Sequence, residues 1–365
     1  MENTPAEYPD ILEILKLARE MGASDLHLSS GHPPATRLQG VLTPMNLPPL
    51  TPEITRDLSL SMLTETQRAK LESDLDLDFA VEIESSGRLR GNIHFNRGIV
   101  EAAFRFIEPM VPSLEKLGHH PTVTHLCDAE EGLILITGAT GSGKSTTLGS
   151  MLEHINQHRT GVIVLLEDPM EFVFPPGLGL IKQREVGSDT KSFASGLRHA
   201  LRQDPDVIAV TELRDHESIE IALQAAETGH LVIATFHASD PPKAIDRILE
   251  MFGAEMLPQI RAQLANSLKS IISQRLLPTP DGKSRALASE ILVNNTAVSS
   301  CIRGGRMEHL VGMMEIGGRD GMVTLDSCLT DLVEQNKITP EEALGHARDP
   351  ERVRLARQKK KGFFG

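Results

Sequence analysis

Residues 133–145 read Leu133-Ile134-Leu135-Ile136-Thr137-Gly138-Ala139-Thr140-Gly141-Ser142-Gly143-Lys144-Ser145. The apolar, β-branched run predicts a buried strand. From Gly138 onward the spacing is G-x-x-x-x-G-K-S, that of a loop that cradles phosphate. Gly138, Gly141 and Gly143 let backbone N–H groups turn inward, Lys144 reaches the outer phosphates, and the Ser145 hydroxyl can hold Mg²⁺. Thr140, Ser142 and Thr146 complete the binding set of the loop. Beyond it Leu148, Met151, Leu152 and Ile155 recur at helical spacing, so the loop opens a helix whose N-terminal dipole favours phosphate. Strand, loop and helix together predict a bound nucleoside triphosphate.

Outward from this segment, apolar strands are predicted at 133–137, 162–166, 207–211 and 231–235, alternating with helices. That texture is the mark of a mostly parallel sheet covered on both faces, an α/β core in which ligands bind beyond the carboxyl ends of the strands. After about residue 255 the pattern reads as largely helical. Residues 1–106 differ: a helix around Ile11–Ala18 stopped by Gly22 precedes short alternating segments such as 77–83, 88–95 and 102–106, a small α+β domain. Pro109, Pro112 and the stretch 118–121 interrupt every pattern, so residues 107–122 read as a linker between this domain and a second one over 123–355. Residues 356–365 read as a basic tail, with Lys359, Lys360 and Lys361 before Phe363 and Phe364. Such a tail is either a solvated end or a contact for anionic lipid.

A chain of 365 residues accommodates two domains of about 100–200 residues each. The formal charge of −13 argues against a protein built to grip nucleic acid, which needs a positive field. Cys127, Cys301 and Cys328 lie far apart with no C-x-x-C pair, so neither a disulfide framework nor a four-cysteine zinc site is readable. No apolar run approaches the roughly 18 residues of a membrane span, and the first residues lack the order of a signal peptide. A cytoplasmic protein follows, free to work against the membrane from inside.

Hydrolysis of a nucleotide needs a carboxylate to orient water and take its proton, and another to order the metal shell. Strand 207–211 runs into Glu212, the candidate for the first role. Strand 162–166 runs into Glu167 and Asp168, candidates for the second, with Asp168 and Ser145 toward Mg²⁺. Carboxylates after strands also cap helices. His230 and His237 flank strand 231–235 and can touch the terminal phosphate, or serve as structural hydrogen-bond partners. Positive charge against the transferring phosphate is commonly supplied by an arginine from another subunit. Arg88, Arg90, Arg97 and Arg105 in the first domain, with Arg198, Arg202 and Arg214 in the second, are the candidates.

These residues resemble the secretion-type ATPases, and within them the retraction motors of type IV pili and twitching motility. The resemblance covers nearly the whole chain. It rests on the phosphate loop Gly138–Thr146, the acidic box Leu166-Glu167-Asp168-Pro169-Met170-Glu171-Phe172, the segment Asp204–Asp215 and the histidine box Ala226–His237, all in the family's order. It implies a PAS-like first domain, a RecA-like second domain, ATP with Mg²⁺ as ligands, and a homo-hexameric ring with ATP between subunits. Glu212 would be the catalytic glutamate, Glu167, His230 and His237 would complete the site, and Arg90 and Arg105 would approach a neighbour's nucleotide. An inner-membrane pilus platform protein would be the partner, with a paralogous motor ATPase as a further one, at the inner face of the cytoplasmic membrane. The longer N-terminal region and four-cysteine zinc site of the extension motors are missing here, which favours retraction.

Two positions depart from the pattern. Thr211 stands where the family commonly has glycine, so crowding of the nucleotide and slow hydrolysis are expected. Cys301-Ile302-Arg303-Gly304-Gly305 stands where resembling proteins have Ala-Ile-Arg-Ala-Gly. Both leave open a second class, an accessory nucleotide-binding paralogue of pilus or type II secretion machinery; a nucleic-acid translocase is a third, against which the acidic balance speaks.

Overall fold

A computed structural model describes residues 8–38, 40–84, 86–107, 111–351 and 353–354. Pro109 and the tail 356–365 lie outside the described residues. Contacts divide the chain into two units, Met1–Met110 and Val111–Gly365.

The first unit runs α1 (Ile11–Glu20), β1 (Asp25–Leu28), β2 (Ala35–Leu38), β3 (Val41–Pro44), α2 (Pro52–Ser61), α3 (Glu65–Asp74), β4 (Asp76–Ile83), β5 (Gly87–Asn96) and β6 (Ile99–Phe106). The strands form one antiparallel six-stranded sheet in the order β3-β2-β1-β6-β5-β4. Asp10 caps α1 by accepting from the Glu13 N–H, and Ile11, Ile14, Leu15 and Ala18 form its buried stripe. Strand alternation sends Leu77, Phe79, Leu89, Ile93 and Phe104 into the same core. Arg90 and Arg105, directly opposite each other on β5 and β6, occupy the other face.

The second unit continues with α4 (Leu114–Leu117), α5 (Pro121–Leu126), β7 (Gly132–Gly138), α6 (Lys144–His158), β8 (Gly161–Glu167), β9 (Gly179–Glu185), α7 (Phe193–Ala200), β10 (Val207–Val210), α8 (His216–Glu227), β11 (Leu231–Phe236), α9 (Pro241–Glu250), α10 (Leu257–Ser267), β12 (Leu268–Pro278), β13 (Arg285–Val293), α11 (Thr296–Gly304), α12 (Leu310–Ile316), α13 (Leu325–Glu334) and α14 (Pro340–His346). A seven-stranded sheet in the order β13-β12-β7-β11-β10-β8-β9 is parallel throughout except for β13. Leu133 and Leu135 enter one core and Ile134 and Ile136 the other, which is why β7 is apolar at these four successive positions.

Two segments differ from the sequence expectation. The largely helical region after residue 255 contains the hairpin β12–β13, which extends the sheet beside β7. Within the stretch read as a linker, Ser113 caps α4, and buried Leu114 and Val123 pack α4 and α5 into the core beneath α6. Among the described residues no helix is long and apolar enough to cross a membrane.

Candidate functional site

Parallel register fixes what meets at the carboxyl edge of the large sheet. Thr137 lies opposite Phe236, and Val210 lies between Ala234 and Leu166, so the chain leaves β7, β11, β10 and β8 side by side. Gly138, His237, Glu212 and Asp168 follow at that edge.

The phosphate loop is built for a guest. Gly138 has φ +148°, and a Cβ there would lie 2.4 Å from Ser142 Oγ and 2.5 Å from the Gln274 carbonyl oxygen. Gly143, at φ +86°, begins α6 without a side-chain cap, so the first-turn N–H groups that a cap would satisfy face the loop. Buried Ser142 Oγ has no hydrogen-bond partner. Thr140 and Gly141 are exposed at the tip, while Ser145 and Thr146 are half-buried in the first helical turn. Buried Lys144 donates through Nζ to the carbonyls of Gly138 and Ala139, 2.9 Å each. Burial lowers its pKa, against the pull of Glu212 and Glu171. These features fit a bound polyphosphate.

Glu212 is held from two sides: Oε1 lies 3.0 Å from His237 Nε2, and Oε2 accepts from Arg214 Nη2 at 2.7 Å. Partial burial raises its pKa, but the hydrogen bond and charge of Arg214, with His237 and Lys144, outweigh that and leave it below the ordinary value. Glu212 is therefore an oriented carboxylate beside the loop lysine. Arg247 of α9 fixes the other end of the His237 turn by donating to its carbonyl at 2.6 Å. Gly138, Ala139, His237, Ser239, Lys243 and Arg247 line a cavity of about 600 Å³ here.

The Thr211 hydroxyl accepts from the Asp168 N–H at 3.3 Å, and Thr235 Oγ1 donates to the Thr211 carbonyl. The Thr211 side chain thus ties the ends of β8 and β10 together. Cys301 is buried in the core against which α11 packs, and Gly305 ends that helix at φ +67°. The exposed Asp168 carboxylate acts on Arg214.

Four of the expected site residues have other partners within a single chain. Glu167, expected to be catalytic, is only 2% exposed: it accepts from Gln183 Nε2 at 2.9 Å and from the Glu171 N–H at 3.4 Å, bracing the turn that follows β8. Exposed Glu171, four residues on, is the acidic-box side chain whose charge reaches Lys144. His230 precedes β11 while His237 follows it. Its carbonyl accepts from the Gly132 N–H and its Nδ1 lies 3.1 Å from the Ala225 carbonyl oxygen, at the opposite edge of the sheet, about 20 Å from the loop at ~3.3 Å per strand residue. Within one chain its contacts are with the backbone at the start of β7 and the end of α8. Arg90 and Arg105 belong to the first unit, where Arg105 Nε donates to buried Asp25 at 2.8 Å and Arg90 Nη2 lies 3.8 Å from Asp78. Arg247 and Glu171 were not singled out from sequence. The E-x-x-x-E spacing of the acidic box is the signal for Glu171, and the i, i+3, i+4 polar row of α9 is the signal for Arg247.

Burial pushes the Glu167 carboxyl up to about 7. A carboxyl raised on folding binds its proton more tightly folded than unfolded, so its full stability is present below the unfolded value of about 4.5 and declines until the pH passes about 7. Glu167→Gln should remove that decline: its stability relative to wild type should rise by about 2–3 kcal/mol between pH 4.5 and 7.5 in urea unfolding. A constant difference would show that Glu167 is ionised in the folded chain.

The family described as Type II/IV secretion system protein matches residues 11–336. The chain is 42% identical over 343 residues to a Pseudomonas aeruginosa protein named Type IV pilus retractation ATPase PilT, covering 94% of this chain and 99% of that one. It is 38% identical to the Type IV pilus ATPase PilU of the same organism, covering 94% and 90%. The crystal structure of the pilus retraction motor PilT with bound ADP superposes with a TM-score of 0.88 at 45% identity, over 94% of this chain and 98% of that one. The fold is therefore that of a RecA-like ATPase core with a smaller N-terminal domain, and the chain belongs to the Type II/IV secretion system protein family.

Proposed function

We propose that this chain hydrolyses ATP to drive retraction of type IV pili. The observation that carries the proposal is the convergence of Lys144, Glu212 and His237 on one phosphate loop, in a chain 42% identical to a named retraction ATPase. The loop amides and Lys144 bind the phosphates. Glu212, oriented by His237 and Arg214, takes the proton of the attacking water. Ser145 would hold Mg²⁺, with Asp168 and Glu171 reaching it through water; the ion would offset phosphate charge. The chain would work as a homo-hexameric ring in which Arg90 and Arg105 of one copy face the nucleotide of the next, turning against an inner-membrane platform protein at the cytoplasmic face.

Cells lacking the gene should carry excess pili and lose twitching. Bald cells would point to extension instead, and an unchanged surface would overturn the pilus role. The 38% identity to PilU favours one second reading, an accessory subunit in a ring system with a catalytic paralogue. Isolated chain whose Mg²⁺-dependent turnover exceeds background by no more than twofold would support it.

A further inference from the structure

Arg348 sits far from the phosphate loop in sequence, after the last named helix, yet a run of partly buried polar contacts joins it to the turn that carries His237. Its backbone N–H and that of Asp349 donate to the two carboxylate oxygens of Asp326 on α13, at 2.8 and 2.9 Å, which fixes the chain here. The guanidinium then reaches inward: Nη2 lies 2.9 Å from Glu290 Oε2 and 3.8 Å from Asp240 Oδ2. Glu290, on β13, is 2% exposed, and its Oε1 has no hydrogen-bond partner. Asp240 is the N-cap of α9, accepting from the Lys243 N–H at 3.0 Å and from Ser239 Oγ at 2.9 Å, with Lys243 Nζ 3.1 Å away. Ser239 and Lys243 line the site cavity, two and six residues from His237.

We infer that Arg348 is a positioning residue for the nucleotide site: clamped between Glu290 and Asp240, it holds the His237–Asp240 turn, and through it His237 against Glu212. Two carboxylates buried together repel, and one planar cation between them makes a single arrangement of the turn favourable. Without that cation Asp240 keeps its local contacts with Ser239 and Lys243 but loses its tie to Glu290 on β13, and the turn loses that anchor to the sheet. The inference rests on the proposed ATP hydrolysis for its kinetic readout.

The test uses the full chain with Arg348→Ala, Arg348→Lys, Asp240→Asn, which keeps the helix cap, and the double variant Arg348→Ala/Asp240→Asn. Arg348→Ala and Asp240→Asn should each lower kcat by about five- to tenfold, with KM and ADP affinity within twofold of wild type, and Arg348→Lys should recover part of the loss. The double variant should be no slower than the slower single one, because both act through one contact. Unchanged kcat, multiplied losses in the double variant, or a kcat loss matched by lost ADP binding would overturn the inference. Wild-type chain without turnover would sink the proposed activity, and amide hydrogen exchange with ADP then reads the clamp alone: residues 237–244 should exchange about tenfold faster in Arg348→Ala, and equal rates would refute it.

Discussion

Glu212→Gln should lower the turnover of ATP by about 10²–10⁴-fold while leaving its binding within a few-fold of wild type. The amide keeps the shape of the side chain and can still accept from Arg214 Nη2, so the end of β10 stays in place. What it loses is the capacity to take a proton. Wild-type Glu212 is suited to that task by position more than by basicity, since its neighbours hold its pKa below the ordinary value. It is therefore ionised throughout the physiological range, and the rate should show no acid limb from this residue near neutrality. Single-turnover hydrolysis, with equilibrium binding of an ATP analogue measured in parallel, separates the two effects. If the variant hydrolyses within tenfold of wild type, Glu212 is not the general base. Glu171 is then the next carboxylate to test, because it is the other one whose charge acts on Lys144.

Residue parity and strand direction explain which parts of this site were legible beforehand. The four central strands are apolar at successive positions because each feeds two cores, a pattern that sequence alone displays. Their carboxyl ends then have to meet, so Lys144, Glu212 and His237 follow from the fold class. The same rule places His230 at the amino end of β11; the shared histidine box obscured a direction that the strand itself specifies. Glu167 is the last residue of β8, still within the ladder opposite Glu185, so its side chain packs beneath the turn, while Glu171 lies beyond it. Hairpin β12–β13 was hidden because Leu268, Ile271, Ile272 and Leu276 recur at i, i+3, i+4 and i+8, a spacing that suits a helix. The turn at Asp281-Gly282 was the signal for the hairpin. Helix α3 buries only Leu71, so it shows almost no apolar stripe, although its Thr64–Gln67 capping box is plain. Arg348 was beyond such reading altogether, since its partners come from β13 and α9, some 58 and 108 positions away.

Lys144→Ala should weaken ATP and ADP binding by about 10²-fold or more, the equivalent of losing charge-assisted contacts worth about 1.5–3 kcal/mol each. Its Nζ sits where two carbonyls of the loop converge, and these are the contacts it exchanges when a phosphate arrives. Burial has already lowered its pKa, so part of its hydration is gone before the ligand binds, and the cation meets the phosphate with little further desolvation. The effect on folding should be much smaller than on binding. Removing the side chain strands the Gly138 carbonyl, a cost of about 1–3 kcal/mol, but it also removes a partly desolvated charge, and the two changes oppose each other. Arginine should not restore binding, because the space between the Gly138 and Ala139 carbonyls suits a compact ammonium and not a planar fork. Calorimetric titration with ADP, beside thermal unfolding without ligand, distinguishes these outcomes. An affinity within threefold of wild type would mean that the loop amides alone hold the phosphates; a melting point lowered by more than about 10 °C would mean that Lys144 is chiefly a brace for the empty loop.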